Sequence, residues 1–141
     1  MTFWDASGVM PLLVEEPASK AVAARRAADP TMVVWWGTEV ECVSALCRLE
    51  RDGGLTSSAL QAAIGRLDRL SASWLEVLPG TGVRNTARRL LRVHPLRAAD
   101  ALQLAAAIEA AEGRPAGARI LTFDQRLRDA ALREGFDVSE S

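Results

Sequence analysis

Five short apolar runs, separated by stretches of helical composition, constrain this chain more than any other feature. They are Phe3-Trp4, Met32-Val33-Val34-Trp35-Trp36, Leu75-Glu76-Val77-Leu78, Ile120-Leu121-Thr122 and Phe136-Asp137-Val138. Their length and their β-branched and aromatic content mark them as strands. Between the first two lie Ser7 to Val14 and Pro17 to Ala28, both helical in composition, with Asp29-Pro30 breaking the chain before the second run. Thr38 to Arg51 is the next helix, stopped by Gly53-Gly54. Thr56 to Ser73 follows, with Leu60, Ile64, Leu67 and Leu70 at helical spacing. Val83 to Val93, Leu96 to Glu112 and Asp124 to Glu134 complete the set, closed by His94-Pro95, the Gly113 to Gly117 loop and Gly135. Strands joined through helices of this length pair in parallel through right-handed crossovers. The expected architecture is therefore α/β, a three-layer α/β/α sandwich on a mainly parallel sheet. At 141 residues, without linker, repeat or low-complexity tract, the chain is expected to be one domain over 1–141.

Composition narrows the partners. A net charge of -1 gives no global pull toward nucleic acid, so any such binding must come from a local patch. Lys20 is the only lysine among 17 basic residues. Cys42 and Cys47 stand five apart with no histidine nearby, which is neither zinc-ligand spacing nor a disulfide framework. They read as free thiols of a reducing cytoplasm. The N-terminus lacks a basic region and carries Asp5 inside its apolar stretch, unlike a signal peptide. No apolar run reaches the ~18 residues that span a bilayer. A cytoplasmic protein without membrane contact is expected.

Four acids fall where strand gives way to helix: Asp5, Glu41, Asp100 and Asp124. In an open α/β sheet the ligand crevice lies beyond the carboxyl ends of the strands. Four carboxylates in one crevice repel one another, and a bound hard cation resolves that conflict. Metal-assisted phosphate chemistry follows. Each acid alone also has a structural reading. Asp5 and Asp124 suit helix N-caps, Asp100 suits a helix N-terminus, and Thr38-Glu39-Val40-Glu41 has the form of a capping box. A helical wheel sets Glu39 with Val43, Leu46 and Cys47, and Glu41 with Ser44, Ala45 and Arg48, which leaves open which of the two meets the site.

The motifs around these acids resemble those of PIN-domain proteins, and most closely their VapC-like toxin branch. Asp5-Ala6-Ser7 is similar to the family's opening motif, and Val40-Glu41-Cys42-Val43-Ser44-Ala45-Leu46 to its second. Leu96-Arg97-Ala98-Ala99-Asp100-Ala101-Leu102-Gln103-Leu104-Ala105 resembles the third, and Thr122-Phe123-Asp124-Gln125-Arg126-Leu127 the fourth. The resemblance covers essentially the whole chain. It implies catalytic and metal-binding roles for Asp5, Asp100, Asp124 and Glu41, and selects Glu41 over Glu39. It gives supporting hydroxyl roles to Ser7 and Thr122. Many relatives carry histidine where Gln103 stands, so the resemblance assigns Gln103 no role.

By that resemblance the chain would be an endoribonuclease using Mg²⁺ or Mn²⁺, leaving a 5′-phosphate and a 3′-hydroxyl. Its partners would be RNA, a cognate VapB-like antitoxin whose basic side chain enters the acidic pocket, and a second copy of itself. The apolar faces of Val9–Val14 and Leu46–Leu49 permit such a homodimer. Independently of the family, the stretch from Val77 to Ala99 holds no acid but holds Arg84, Arg88, Arg89, Arg92 and Arg97. The spacing puts Arg84, Arg88 and Arg92 on one helical face, and with Arg97 they form either an RNA-binding ridge or a solvated face. His94 reads as a helix-end residue, and Trp4, Trp35, Trp36 and Trp74 as core. A receiver-type phosphoacceptor is excluded, because it needs a late lysine. The remaining alternatives are a DNA nuclease of the same fold and a non-catalytic PIN-like binding protein.

Overall fold

A computed structural model describes residues 1–139. Its five strands are β1 (Thr2–Trp4), β2 (Met32–Trp35), β3 (Leu75–Val77), β4 (Arg119–Leu121) and β5 (Asp137–Ser139). They form one sheet in the order β3-β2-β1-β4-β5, and every neighbouring pair is parallel. The helices are α1 (Ala6–Leu13), α2 (Ser19–Ala28), α3 (Thr38–Arg51), α4 (Ser57–Ser71), α5 (Thr81–Val93), α6 (Ala98–Ala110) and α7 (Gln125–Glu134). Among the described residues no helix is long and apolar enough to cross a membrane.

Alternation along the central strands builds two cores. Phe3, Val33, Trp35 and Ile120 face one way and pack with α5, α6 and α7. Trp4, Met32, Val34 and Leu121 face the other way and pack with α1, α2, α3 and α4. Each strand of the sheet's centre thus buries both faces, which explains why these runs read as continuously apolar. The three-layer expectation holds. Ala101, Ala105, Ala106 and Ala107 are buried in α6 and let its backbone lie close to the sheet. Gly8 does the same for α1: a Cβ there would sit 2.6 Å from the Leu121 carbonyl oxygen. Only glycine lets the first turn of α1 rest on the end of β4.

Two expectations change. Trp36 is 53% exposed, because β2 ends one residue earlier, at Trp35. Val9, Leu13 and Leu46, offered as a dimer face, are fully buried in the chain's own core. His94 caps the C-terminus of α5 as expected, and is also buried against Glu134 of α7, Nε2 to Oε2 2.7 Å. Arg89 closes that link with a two-pronged contact to the same carboxylate. These neighbours hold the Glu134 carboxyl below its ordinary range.

Candidate active site

Asp5 follows β1, the central strand, so its carboxylate lies at the carboxyl edge of the sheet, where β4 also ends. It is 4% exposed. Its Oδ1 accepts from the Gly8 amide at 2.8 Å, making Asp5 the N-cap of α1. The Ser7 hydroxyl lies 2.8 Å and 3.0 Å from the two carboxylate oxygens, and Thr122 Oγ1 donates to Oδ2 at 2.7 Å. Ser7 and Thr122 also meet each other at 3.2 Å. The loop after β4 is tied into this cluster twice more, as the Phe123 amide donates to Ser7 Oγ and the Asp124 amide to Thr122 Oγ1. Six residues from two chain segments, Asp5, Ser7 and Gly8 with Thr122, Phe123 and Asp124, thus share one hydrogen-bonded knot.

Burial pushes the Asp5 carboxyl up to about 6, more than its three hydrogen-bond donors pull it down, and the nearby Asp124 charge raises it further. Glu41 is raised first by burial and then by the charges of Asp5 and Asp100, against the Gln103 amide that lowers it. Asp100 is raised by burial and by Asp124, and lowered by the Arg97 backbone amide and the charges of Arg97 and Arg126. These couplings bring all four acids into one electrostatic neighbourhood. Glu41 also accepts a hydrogen bond from Gln103 of α6, across from its own helix.

Local structure explains part of each placement. Asp124 is the N-cap of α7, accepting from the Leu127 amide at 2.9 Å. Asp100 lies in the first turn of α6 and accepts from the Arg97 amide at 3.3 Å. The capping box at Thr38 does not form. Gly37 is the N-cap of α3 without a side-chain bond, and Glu41 turns to Gln103 of α6 instead. Arg97, Asp100, Asp124, Gln125 and Arg126 line one surface cavity. Arg88 and Arg92 line a different groove with Arg89, Leu91 and Val93, and Arg84 is exposed on the same helix. Arg84, Arg88 and Arg92 thus lie along α5, while Arg97, with Arg126, lines the cavity that holds Asp100 and Asp124.

The PIN domain family matches residues 2–132. The chain belongs to the PIN domain family. No curated protein matches it by sequence. Among solved structures it resembles the Mycobacterium tuberculosis VapC20, a sarcin-ricin loop cleaving toxin, at 18% identity and a TM-score of 0.67, over 92% of this chain and 95% of that one. It also resembles FitAcB from Neisseria gonorrhoeae at 17% identity and a TM-score of 0.67, over 98% and 96%. PAE2754 from Pyrobaculum aerophilum stands at 19% identity and a TM-score of 0.64, over 96% and 87%. At these identities the likeness is one of fold.

The donor set of this PIN domain is all oxygen, which suits Mg²⁺ or Mn²⁺ by hardness and charge. A cation would offset the burial, and the weaker mutual repulsion, that raise Asp5, Glu41 and Asp100. Among the described residues, however, no three carboxylate, imidazole or thiolate groups already form a metal-holding cluster. Asp5, Asp100 and Asp124 instead point oxygens at hydroxyl or amide donors, as described above. Sequence reasoning missed Gln103, Thr38 and Arg126 here. Gln103 had a legible signal, being the one polar residue between Ala101 and Ile108. Cys42 is not a competing nucleophile, since burial pushes its thiol up to about 12.

Proposed function

We propose that this PIN domain is a metal-dependent endoribonuclease, the toxin of a toxin–antitoxin pair. One observation carries the reading: four carboxylates near the carboxyl edge of a parallel sheet, each close enough to feel the charge of a neighbour in the set, with Asp5 buried and raised to about 6. Negative charge gathered at this burial, offset by arginine only at Asp100, works against folding and calls for a cationic ligand. Asp5, Asp100 and Asp124 would hold Mg²⁺ or Mn²⁺, with Glu41 joining directly or through water. When bound, the cation supplies positive charge for the phosphate oxygens and acidifies a water for in-line attack on an RNA phosphodiester.

The chain's own residues do the rest. Ser7 and Thr122 fix the Asp5 carboxylate in one orientation through bonds of 2.7 Å to 3.0 Å. The Gly8 amide anchors the same group to α1, so the main-chain geometry at the end of β1 sets its position. Arg97 and Arg126 flank Asp100 and offer guanidinium groups to a phosphate beside it. Arg84, Arg88 and Arg92 provide the backbone-binding ridge on α5. The products would be a 5′-phosphate and a 3′-hydroxyl. RNA as the substrate class draws on the family and on the fold shared with VapC20. A cognate antitoxin would silence the toxin by placing a basic side chain among the acids, and a homodimer would use surfaces other than the buried Val9, Leu13 and Leu46.

A second reading, a PIN protein that only binds partners, draws on the lack of a ready three-ligand cluster among the described residues. Incubation of total RNA with purified protein plus Mg²⁺ or Mn²⁺ separates the two. The nuclease reading expects discrete fragments that disappear with EDTA and with Asp124→Asn. Intact RNA under every metal, with folded protein, favours the binding role.

A further inference from the structure

Gln103 is 2% exposed and lies where α6 meets the N-terminal turn of α3. Its Nε2 donates to Thr38 Oγ1 at 2.9 Å and to Glu41 Oε2 at 2.8 Å. Its Oε1 is buried with no partner. The amide thus satisfies two acceptors through its nitrogen and leaves its own oxygen without a donor. The amide also cannot turn over, because Oε1 would then face an ionised Glu41 oxygen, acceptor against acceptor.

We propose that Gln103 is a positioning residue that fixes the Glu41 carboxylate for a divalent cation. The inference rests on the reading of the four acids as a cation site. Thr38 takes one amide hydrogen and sets the plane of the group, so the other hydrogen is aimed at Glu41. An uncharged donor is the suitable choice here. Lysine or arginine at 103 would orient Glu41 equally well but would cancel the charge that a cation needs. The amide orients and leaves the charge in place.

The test uses the full chain with Mn²⁺ alone as the probe, reading free Mn²⁺ by electron paramagnetic resonance. Gln103→Met should weaken Mn²⁺ binding roughly tenfold, the scale typical of lost partners to metal-binding groups. Gln103→His keeps a ring N–H for Glu41 and should recover most of the affinity. Thr38→Val, which frees the amide without removing it, should weaken binding severalfold and carries the test if the methionine variant does not fold. The chain has three glutamines, Gln61, Gln103 and Gln125, so the Gln103 side-chain amide is readily assigned by NMR and should shift on Mg²⁺ addition. Wild-type Mn²⁺ affinity in Gln103→Met and Thr38→Val would overturn the inference alone. A wild-type chain that binds no Mn²⁺ would overturn the cation reading and this inference with it.

Discussion

Replacing Asp5 by asparagine should stabilise this protein at neutral pH while abolishing its activity. The Asp5 carboxyl is raised from 3.8 to about 6, so between those values the folded state holds a proton that the unfolded chain has released. The stabilising effect of that proton is complete below 3.8 and is lost as pH rises through about 6. That rise corresponds to about 3 kcal/mol at 25 °C, the cost of ionising this group inside the fold. Asparagine keeps the acceptor for the Gly8 amide and remains a good N-cap. Its amide hydrogens can be taken up by the Ser7 or Thr122 oxygens once those hydroxyls rotate. Metal-free Asp5→Asn should therefore gain about 1–3 kcal/mol over wild type at pH 7.5, about 3–10 °C in melting temperature. The gain should vanish near pH 4. Urea denaturation in EDTA across pH 4 to 8 reads this directly, and added Mg²⁺ should then stabilise wild type alone. An asparagine variant less stable than wild type at pH 7.5, or a difference independent of pH, would refute the claim that burial outweighs the hydrogen bonds that hold the Asp5 carboxylate.

Other consequences can be checked alongside. Gly8→Ala must push α1 off the end of β4, and should cost about 1–3 kcal/mol in urea denaturation together with most of the activity. Arg88→Ala combined with Arg92→Ala should raise KM for RNA with little change in kcat, and flatten the slope of log affinity against log salt by roughly one to two. Glu134→Gln weakens the link from α7 to Arg89 and His94. This partly exposed contact should cost no more than about 1 kcal/mol near neutrality. Because the Glu134 carboxyl is depressed, its contribution is present above its ordinary value of 4.5 and is lost as pH falls below that, so the variant and wild type should converge in acid.

The layers of the fold were legible because short apolar runs and helical periods alternate without conflict. Every strand and helix lies within a few residues of its expected place, and period-2 alternation in Phe3-Trp4 and Ile120-Leu121 sends neighbours to opposite cores. Trp36 was misread because composition cannot tell the last residue of a buried strand from the first residue beyond it. The Thr38 capping box failed for a related reason. Local sequence offers Glu41 to its own helix terminus, but Gln103, 62 residues away, supplies a better donor. Glu39 and Glu41 differ only in which neighbour they meet, and that is a tertiary fact. The knot joining Asp5, Ser7, Thr122 and Asp124 depends on β1 and β4 being adjacent, which strand order decides and spacing does not.

One measurement tests the central claim most directly. A single-stranded oligonucleotide that contains a mapped cleavage site is prepared as RNA and as DNA, and each is incubated with the protein and Mn²⁺. The account predicts cleavage of the RNA alone, a 5′-phosphate on the downstream fragment, and complete loss with EDTA or Asp5→Asn. Cleavage that persists in EDTA and in the Asp5→Asn variant would contradict it, as would equal cleavage of the DNA.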